Sequence, residues 1–492
     1  MKEPLQKKKF TIKDVLNVRP LVVAAVAQIL GIVSMKNGLY VLGIAALFVV
    51  IVYALAFCGE KSERKFFCLV VAFFFAFGFL CAVGQSAYLS SGEEEVSGVM
   101  SGHVAFAERG GYTYLKNVFV GDKYLGNAVL ETNYDLYVGE DVFFYGTATK
   151  RDIFGYYGVS SKLLQFSAKY SIVADGFSSF DYNPSLDETI REFFRAGLYS
   201  KMSYDSAAIC YGMMFGDTSN ITSGILEIMR VSGIAHVFAV SGLHVGVLYS
   251  IINKLFGNRA RKARLFIVPV LLFGYAYVSG NSPSSLRAAT MFSVVNAANC
   301  LYKHKDKPSV LALAVIVVFT ISPFAVYSKG CILSFAVVAT LMLFGRSDKA
   351  EEKKKNAFSD SVRTSLVANV GSLPLLSCYF GYISFISLPL NIIIVPLVGI
   401  VYTYTFFALP LSALLGVNLL RLTDVALIAT KSVCELFYSL GTVVKVSFSA
   451  LNVAIYYLAL FVLSRYCFLS KKAKVITFLV LAAAFCLSFL SV

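Results

Sequence analysis

This sequence is poor in charge. Only 15% of its 492 residues are Asp, Glu, Lys or Arg, whereas a soluble protein carries roughly 25%. It has four histidines and ten cysteines, and no two cysteines stand in C-x-x-C spacing. The low charge excludes an ordinary soluble enzyme, and 57% hydrophobic residues exclude disorder. The scattered cysteines exclude a disulfide-rich secreted domain. Most lie in or beside apolar runs, where free Cys serves as a small apolar residue. Neither H-E-x-x-H nor G-x-x-x-x-G-K-[ST] occurs, so no metalloprotease or ATP site is recognisable, and no metal or cofactor is expected.

What is present is a succession of apolar runs, the mark of a polytopic helical membrane protein. Residues 1–84 hold a basic tail (Lys2, Lys7, Lys8, Lys9, Lys13, Arg19) and apolar runs at 20–35, 39–57 and 66–84. No small-residue cleavage site follows the first run, so it reads as a retained span. Residues 85–185 are polar, free of Cys and marked by Gly-punctuated alternation, which predicts a small all-β barrel or sandwich. Residues 186–492 return to apolar helices, with candidate spans at 234–256, 266–280, 286–302, 308–326, 331–345, 361–380, 386–409, 449–465 and 475–491. With 418–440 treated as interfacial or spanning, the reading is 12–13 spans.

Basic residues cluster in the N-tail, 61–65, 254–264, 303–307, 346–363 and 465–474. One orientation puts every cluster on the cytoplasmic side: N-terminus inside, residues 85–185 outside. The net charge of +15 is therefore mainly a topology signal, because residues 85–190 carry seven basic and fourteen acidic side chains. A nucleic-acid footprint would be positive.

Polar residues inside apolar surroundings concentrate at 205–246: Gly216, Asp217, Gly233, His236, Ser241, Gly242, His244 and Gly246. Two readings stay open. Ionisable groups at membrane depth mark function, while small residues also allow plain helix packing. On a straight helix His236 and His244 stand about 12 Å apart, too far to share one metal unless the helix breaks. Arg287 is the sole charge in 282–302; it contacts phosphates or pairs with a carboxylate such as Asp217. Arg421, Asp424, Lys431 and Glu435 fall within an arc of about 80° at 100° per residue, on a helix that lies in the interface or lines an aqueous conduit. Lys150 and Arg151, beside Phe154, Tyr156 and Tyr157, form either a DNA-contact patch that stacks bases or a solvated loop.

The block Ser241-Gly242-Leu243-His244-Val245-Gly246, preceded by Gly233-Ile234-Ala235-His236, resembles the signature of the ComEC competence family. That family forms the inner-membrane channel taking up single-stranded DNA in natural transformation. Gly216-Asp217, the segment Ser282–Ala288, Leu333-Ser334-Phe335, Leu373-Pro374, Phe380-Gly381, Asn391 and Pro396 are similar to further family elements. Gly139-Glu140-Asp141 and Gly146 resemble a turn and strand of its OB-like outer module.

The resemblance implies a cell-membrane channel, not an enzyme, in which Gly216, Ser241, Gly242 and Gly246 permit unwound or close backbone. His236 and His244 would supply polar contacts and Arg287 a phosphate contact. Implied partners are single-stranded DNA, a cytoplasmic helicase-like motor, extracytoplasmic DNA-receptor and pilus proteins and membrane lipid, with a homo-oligomer left open. Four histidines, none as H-x-H, do not supply the metal site of the metallo-β-lactamase-like domain that many members carry. The expected form lacks it, and strand degradation would fall to another protein. Two other readings are a secondary transporter of a small anionic solute and a membrane scaffold recruiting partners through the outer domain.

Overall fold

Helix α1 (Pro20–Met35) and helix α2 (Lys61–Ser90) cross at backbone contact. A Cβ on Gly31 would lie 2.2 Å from the carbonyl oxygen of Phe75, and one on Gly78 would lie 2.3 Å from that of Gln28. Glycine at such crossings lets helices approach where lipid offers no hydrophobic drive for association. These positions come from a computed structural model, which describes residues 20–35, 61–108, 112–132, 136, 138–151, 167–234, 236, 240–257, 260–302, 306–344, 357–384, 386–439, 443–464, 467 and 470–490. The apolar run at 39–57 lies outside the described residues.

Helix α2 continues past residue 84 to Ser90, where Lys150 donates to the Ser90 carbonyl and Lys169 donates to Ser91 Oγ at 2.7 Å. A cation at the helix C-terminus satisfies carbonyls that have no partner within the helix. The chain then enters five strands: β1 (Glu95–Glu108), β2 (Tyr112–Val120), β3 (Lys123–Glu131), β4 (Glu140–Lys150) and β5 (Tyr170–Tyr182). They close into a barrel in the order β1-β2-β3-β5-β4. All pairs are antiparallel except β3 with β5.

The alternation of β4 turns Val142, Phe144, Gly146 and Ala148 inward. Gly146 is needed there, since a Cβ would stand 2.5 Å from the carbonyl oxygen of Val173. Met100, Leu115, Leu130, Phe144, Tyr170 and Ile172 fill the interior. Removing a ring such as that of Phe144 would cost about 3–5 kcal/mol.

The remaining helices are α3 (Leu186–Lys201), α4 (Tyr204–Phe215), α5 (Ser223–Val231), α6 (Gly242–Phe256), α7 (Arg261–Val278), α8 (Pro283–Cys300), α9 (Lys307–Ile321), α10 (Lys329–Phe344), α11 (Ala357–Phe380), α12 (Ser387–Leu415), α13 (Arg421–Ser439), α14 (Ala450–Leu463) and α15 (Lys471–Leu490). A short ribbon of β6 (Tyr382–Ser384) and β7 (Val443–Lys445) ties α11 to the later helices.

The helices build two cores. One gathers α3, α4, α5, α12 and α13 around residues such as Met213, Ile394 and Leu427. The other gathers α1, α2 and α6–α10 around Ile32, Leu272 and Phe324. Among the described residues, two helical stretches are long and apolar enough to cross a membrane, Cys68–Ser90 and Ser387–Leu415. Five more apolar helices are shorter (α1, α6, α9, α10 and α14). The chain is thus mostly helical, with two candidate membrane helices and a small β domain.

Within the apolar run 234–256, where the paired glycines allow local unwinding, the helix spans Gly242–Phe256. Gly233 sits at φ 76° in the left-handed region that favours glycine. Ser241 then starts a new helix as its N-cap.

Candidate functional site

The break before α6 makes the site. Ser241 Oγ accepts the Leu243 amide proton at 3.2 Å, and the Ser241 amide donates to His244 Nδ1 at 3.2 Å. This is a capping box with histidine in the place usually held by Glu or Gln. It has a chemical consequence. Because Nδ1 accepts, Nε2 of the neutral ring carries the proton. His244 is 0% exposed, and its Nε2 has no partner among the described residues. Its ring rests 4.5 Å from that of Tyr402 on α12. Tyr402 donates to the Tyr275 hydroxyl at 3.1 Å, which in turn donates to the Met214 carbonyl at 2.8 Å. This relay crosses from one helical core to the other, so the turn lies on the seam between them.

Arg287 reaches the same turn from α8. Its Nη2 is 3.9 Å from where a Cβ on Gly242 would stand. Nη1 donates to the Ser334 carbonyl, and the guanidinium lies 5.6 Å from the Phe335 ring centroid. Nε has no partner although the residue is buried. Ser284 donates to Ser334 at 3.2 Å, and Phe292 fills the space that Gly246 leaves open, 3.0 Å from its Cβ position. Three segments distant in sequence, Ser241–Gly246, Ser282–Ala288 and Leu333–Phe335, therefore meet at one point. The expected alternative of an Arg287–Asp217 pair is not what forms. Asp217 accepts from the Ser219 amide at 2.9 Å, closing the turn that Gly216 opens at φ 73°.

Residues 213–469 match the competence protein family. The chain belongs to the competence protein family. It is 33% identical over 223 residues to ComE operon protein 3 of Bacillus subtilis (strain 168), covering 44% of this chain and 27% of that protein. It is 25% identical over 236 residues to an uncharacterised protein of Aquifex aeolicus (strain VF5), covering 46% of this chain and 55% of that one. The chain thus spans between about a quarter and about half of the curated relatives it matches. No solved structure matches.

The stretch shared with the competence family holds the seam and lacks the barrel. Of the other expected site residues within it, His236 is exposed and its Nδ1 sits 3.1 Å from the Gly233 carbonyl oxygen. A Cβ on Gly233 would collide with Ser387 at 2.2 Å. Asn391 is buried on α12 with Oδ1 unpartnered. It stands two turns, about 12 Å, before Gly399, and Gly399 is the point where α12 meets Leu243.

The polar face of α13 turns toward the start of α4. Lys431 pairs with Asp205 at 2.6 Å and approaches Glu435 at 3.9 Å, while Asp424 accepts from Ser203 at 2.6 Å. An open cavity of about 430 Å³ lies there, lined in part by Tyr204, Asp205, Ile209, Leu427, Lys431 and Glu435. Arg421 is exposed. This cluster is separate from the seam.

In the barrel, Lys150 caps α2, and Arg151 lies 3.9 Å from Glu131 with a largely buried side chain. Phe154, Tyr156 and Tyr157 fall outside the described residues.

One polar group was not singled out from the sequence. His103 of β1 bridges Asp141 of β4 at 2.6 Å and Glu188 of α3 at 2.7 Å. Both ring nitrogens face carboxylates, so the ring is held as an imidazolium. The Glu188 hydrogen bond raises its pKa, with Asp141 adding, against the opposing effect of burial. Burial alone would raise Glu188 too, but bonds from His103 and Ser185 prevail and hold it at about 2. Glu188 also accepts the Ser185 amide proton at 2.8 Å. The Ser185-x-x-Glu188 capping pattern was the available signal, although nothing in the spacing points to His103.

Proposed function

We propose that this chain is the membrane part through which one DNA strand passes during transformation. The observation that carries the reading is the convergence at the seam. Family segments bring two buried donors without partners among the described residues, His244 Nε2–H and Arg287 Nε–H, on side chains that meet at the Ser241–Gly246 turn. A buried donor with no acceptor costs about 1–3 kcal/mol, so such a pair is a place for an acceptor that comes and goes. The phosphate oxygens and base carbonyls of a single strand are such acceptors.

In this reading the chain is polytopic, with 12–13 spans and residues 85–185 outside the cell membrane. The barrel acts as an OB-like module at the mouth, which its 1-2-3-5-4 strand order supports. The strand is drawn by a separate cytoplasmic helicase-like motor and delivered by receptor and pilus proteins. Conduction makes and breaks no covalent bond. ComE operon protein 3 supports the assignment to competence through its name and similarity.

The test is transformation frequency in cells carrying wild type, a deletion, or His244→Ala at equal protein level. Loss on deletion, with a marked drop for His244→Ala, is expected. Unchanged uptake on deletion sinks the function; unchanged uptake for His244→Ala removes His244 from the path. Proteoliposomes that take up labelled small anions but no DNA would favour the transporter instead.

A further inference from the structure

The barrel carries an apolar band on its outer face. Val99 of β1 pairs with Tyr145 of β4, and Phe119 of β2 pairs with Tyr124 of β3. The Val99 carbonyl accepts the Gly121 amide proton at 3.2 Å, joining the two pairs at the β2–β3 turn. All four side chains are exposed, Val99 and Tyr124 by 61% and 52%. The Phe119 and Tyr124 rings pack 5.2 Å apart.

This band meets the end of α2. The Tyr88 hydroxyl would lie 2.7 Å from a Cβ on Gly126, two residues along β3 from Tyr124. The stretch Cys68–Ser90 is 23 residues long, or about 35 Å as helix, slightly more than the roughly 30 Å of bilayer hydrocarbon. Its exposed side chains include Leu69, Phe73 and Leu80. Tyr88 therefore falls where the helix emerges from lipid, at the level where aromatic rings with one wet end gather.

We propose that Phe119 and Tyr124, together with Tyr88, seat the barrel on the lipid headgroups of the leaflet where α2 ends. The proposal rests on the reading that α2 crosses the membrane. Charge favours lipid over a nucleic acid as the occupant. Lys123, the cation at this turn, is paired with Glu93 at 2.6 Å, and Glu94 and Glu95 follow it. A single-strand groove needs free positive charge along the phosphates, whereas aromatic insertion at a zwitterionic surface does not.

The chain contains no tryptophan, so one substitution makes a clean reporter. The full chain carrying Tyr124→Trp is reconstituted in phosphatidylcholine vesicles with brominated acyl chains. Leu80→Trp reports the lipid face of α2, and Tyr112→Trp reports the far end of β2. Quenching of Tyr124→Trp by about half, near that of Leu80→Trp and well above Tyr112→Trp, is expected for a ring at the interface. Phe119→Trp reads the same band should the first variant express poorly. Quenching of Leu80→Trp without either band reporter overturns the proposal and leaves the membrane reading standing. No quenching at any site overturns both. Equal quenching at Tyr112→Trp removes the assignment to this edge. A dT oligonucleotide that relieves the bromolipid quenching would give the band to nucleic acid.

Discussion

The barrel junction and the helical seam each hold a histidine, half-buried at the first and fully buried at the second, and the two are built in opposite ways. At the junction both nitrogens of His103 meet carboxylates, and Glu188 also takes the Ser185 amide. At the seam one nitrogen of His244 is used by a backbone cap, and the other is left as a donor with no acceptor among the described residues. The ion pairs of His103 hold two parts of the fold in one arrangement, while Glu188 Oε1 has no partner among the described residues. An unpartnered buried donor carries a cost, and the proposed function reads that cost at the seam as room for an acceptor. The contrast fits a structural role for His103 and supports the role proposed for His244.

The largest effect expected from breaking the contrast is at the junction. Glu188→Ala leaves the half-buried imidazolium with Asp141 alone and frees the Ser185 amide, and the loss should approach the roughly 3–5 kcal/mol of a broken buried pair. Thermal unfolding of the purified protein should show this loss, and DNA uptake should fall only as protein level falls. A loss of uptake at full protein level would place the junction in the transport path.

The seam should respond in the other sense. Arg287→Gln removes the charge while keeping a polar side chain. Uptake should fall roughly 10–100-fold, the worth of one hydrogen bond to a charged group, with little change in melting temperature. A large loss of stability with unchanged uptake per folded molecule would make Arg287 a packing residue.

The two sites should also separate by pH. His103 has a raised pKa, so its contribution is complete below the ordinary value of 6.5 and is lost as pH rises through the folded value. Glu188 is depressed, so its contribution is complete above 4.5 and is lost as pH falls through about 2. Protection of β1 and β4 amides, after correction for the intrinsic pH dependence of exchange, should therefore be greatest between pH 4.5 and 6.5 and lower at pH 9. His103→Gln should flatten the alkaline side of that profile. An unchanged profile in this variant would remove His103 as its origin.

The smallest effect concerns Lys150. As a cap on α2 it is worth about 0.3–1 kcal/mol, so Lys150→Ala should lower stability slightly and leave uptake unchanged. A drop in oligonucleotide binding at unchanged stability would instead make Lys150 a DNA contact.

Much of this was legible beforehand. The alternation through Val142, Phe144 and Ala148 announced a strand with one buried face, and the Ser-Gly-Leu-His-Val-Gly block carried the family. The start of a new helix at Gly242 was legible only in part, because apolar composition is the same along the run and paired glycines allow an unwound backbone without placing it. Gly233 and Ser241 were the local clues, one for left-handed backbone and one for a cap. The partner of Arg287 was not legible at all. A carboxylate was a reasonable expectation for a lone buried cation, yet a backbone carbonyl of α10 took that place.

By itself the sequence determined where the chain is apolar, where it alternates, and which short blocks it shares with the competence family. These are local properties, written in composition and spacing. Tertiary structure alone decided that residues 241–246, 282–288 and 333–335 meet, and that His103 finds Glu188 from 85 positions away. The reason is physical. Which donor meets which acceptor depends on how helices and strands pack after they form, and a buried polar atom takes whatever partner that packing brings within about 3 Å. The low charge of the chain gives its few buried polar groups their weight, because in so apolar a fold each one depends on the partner that packing supplies.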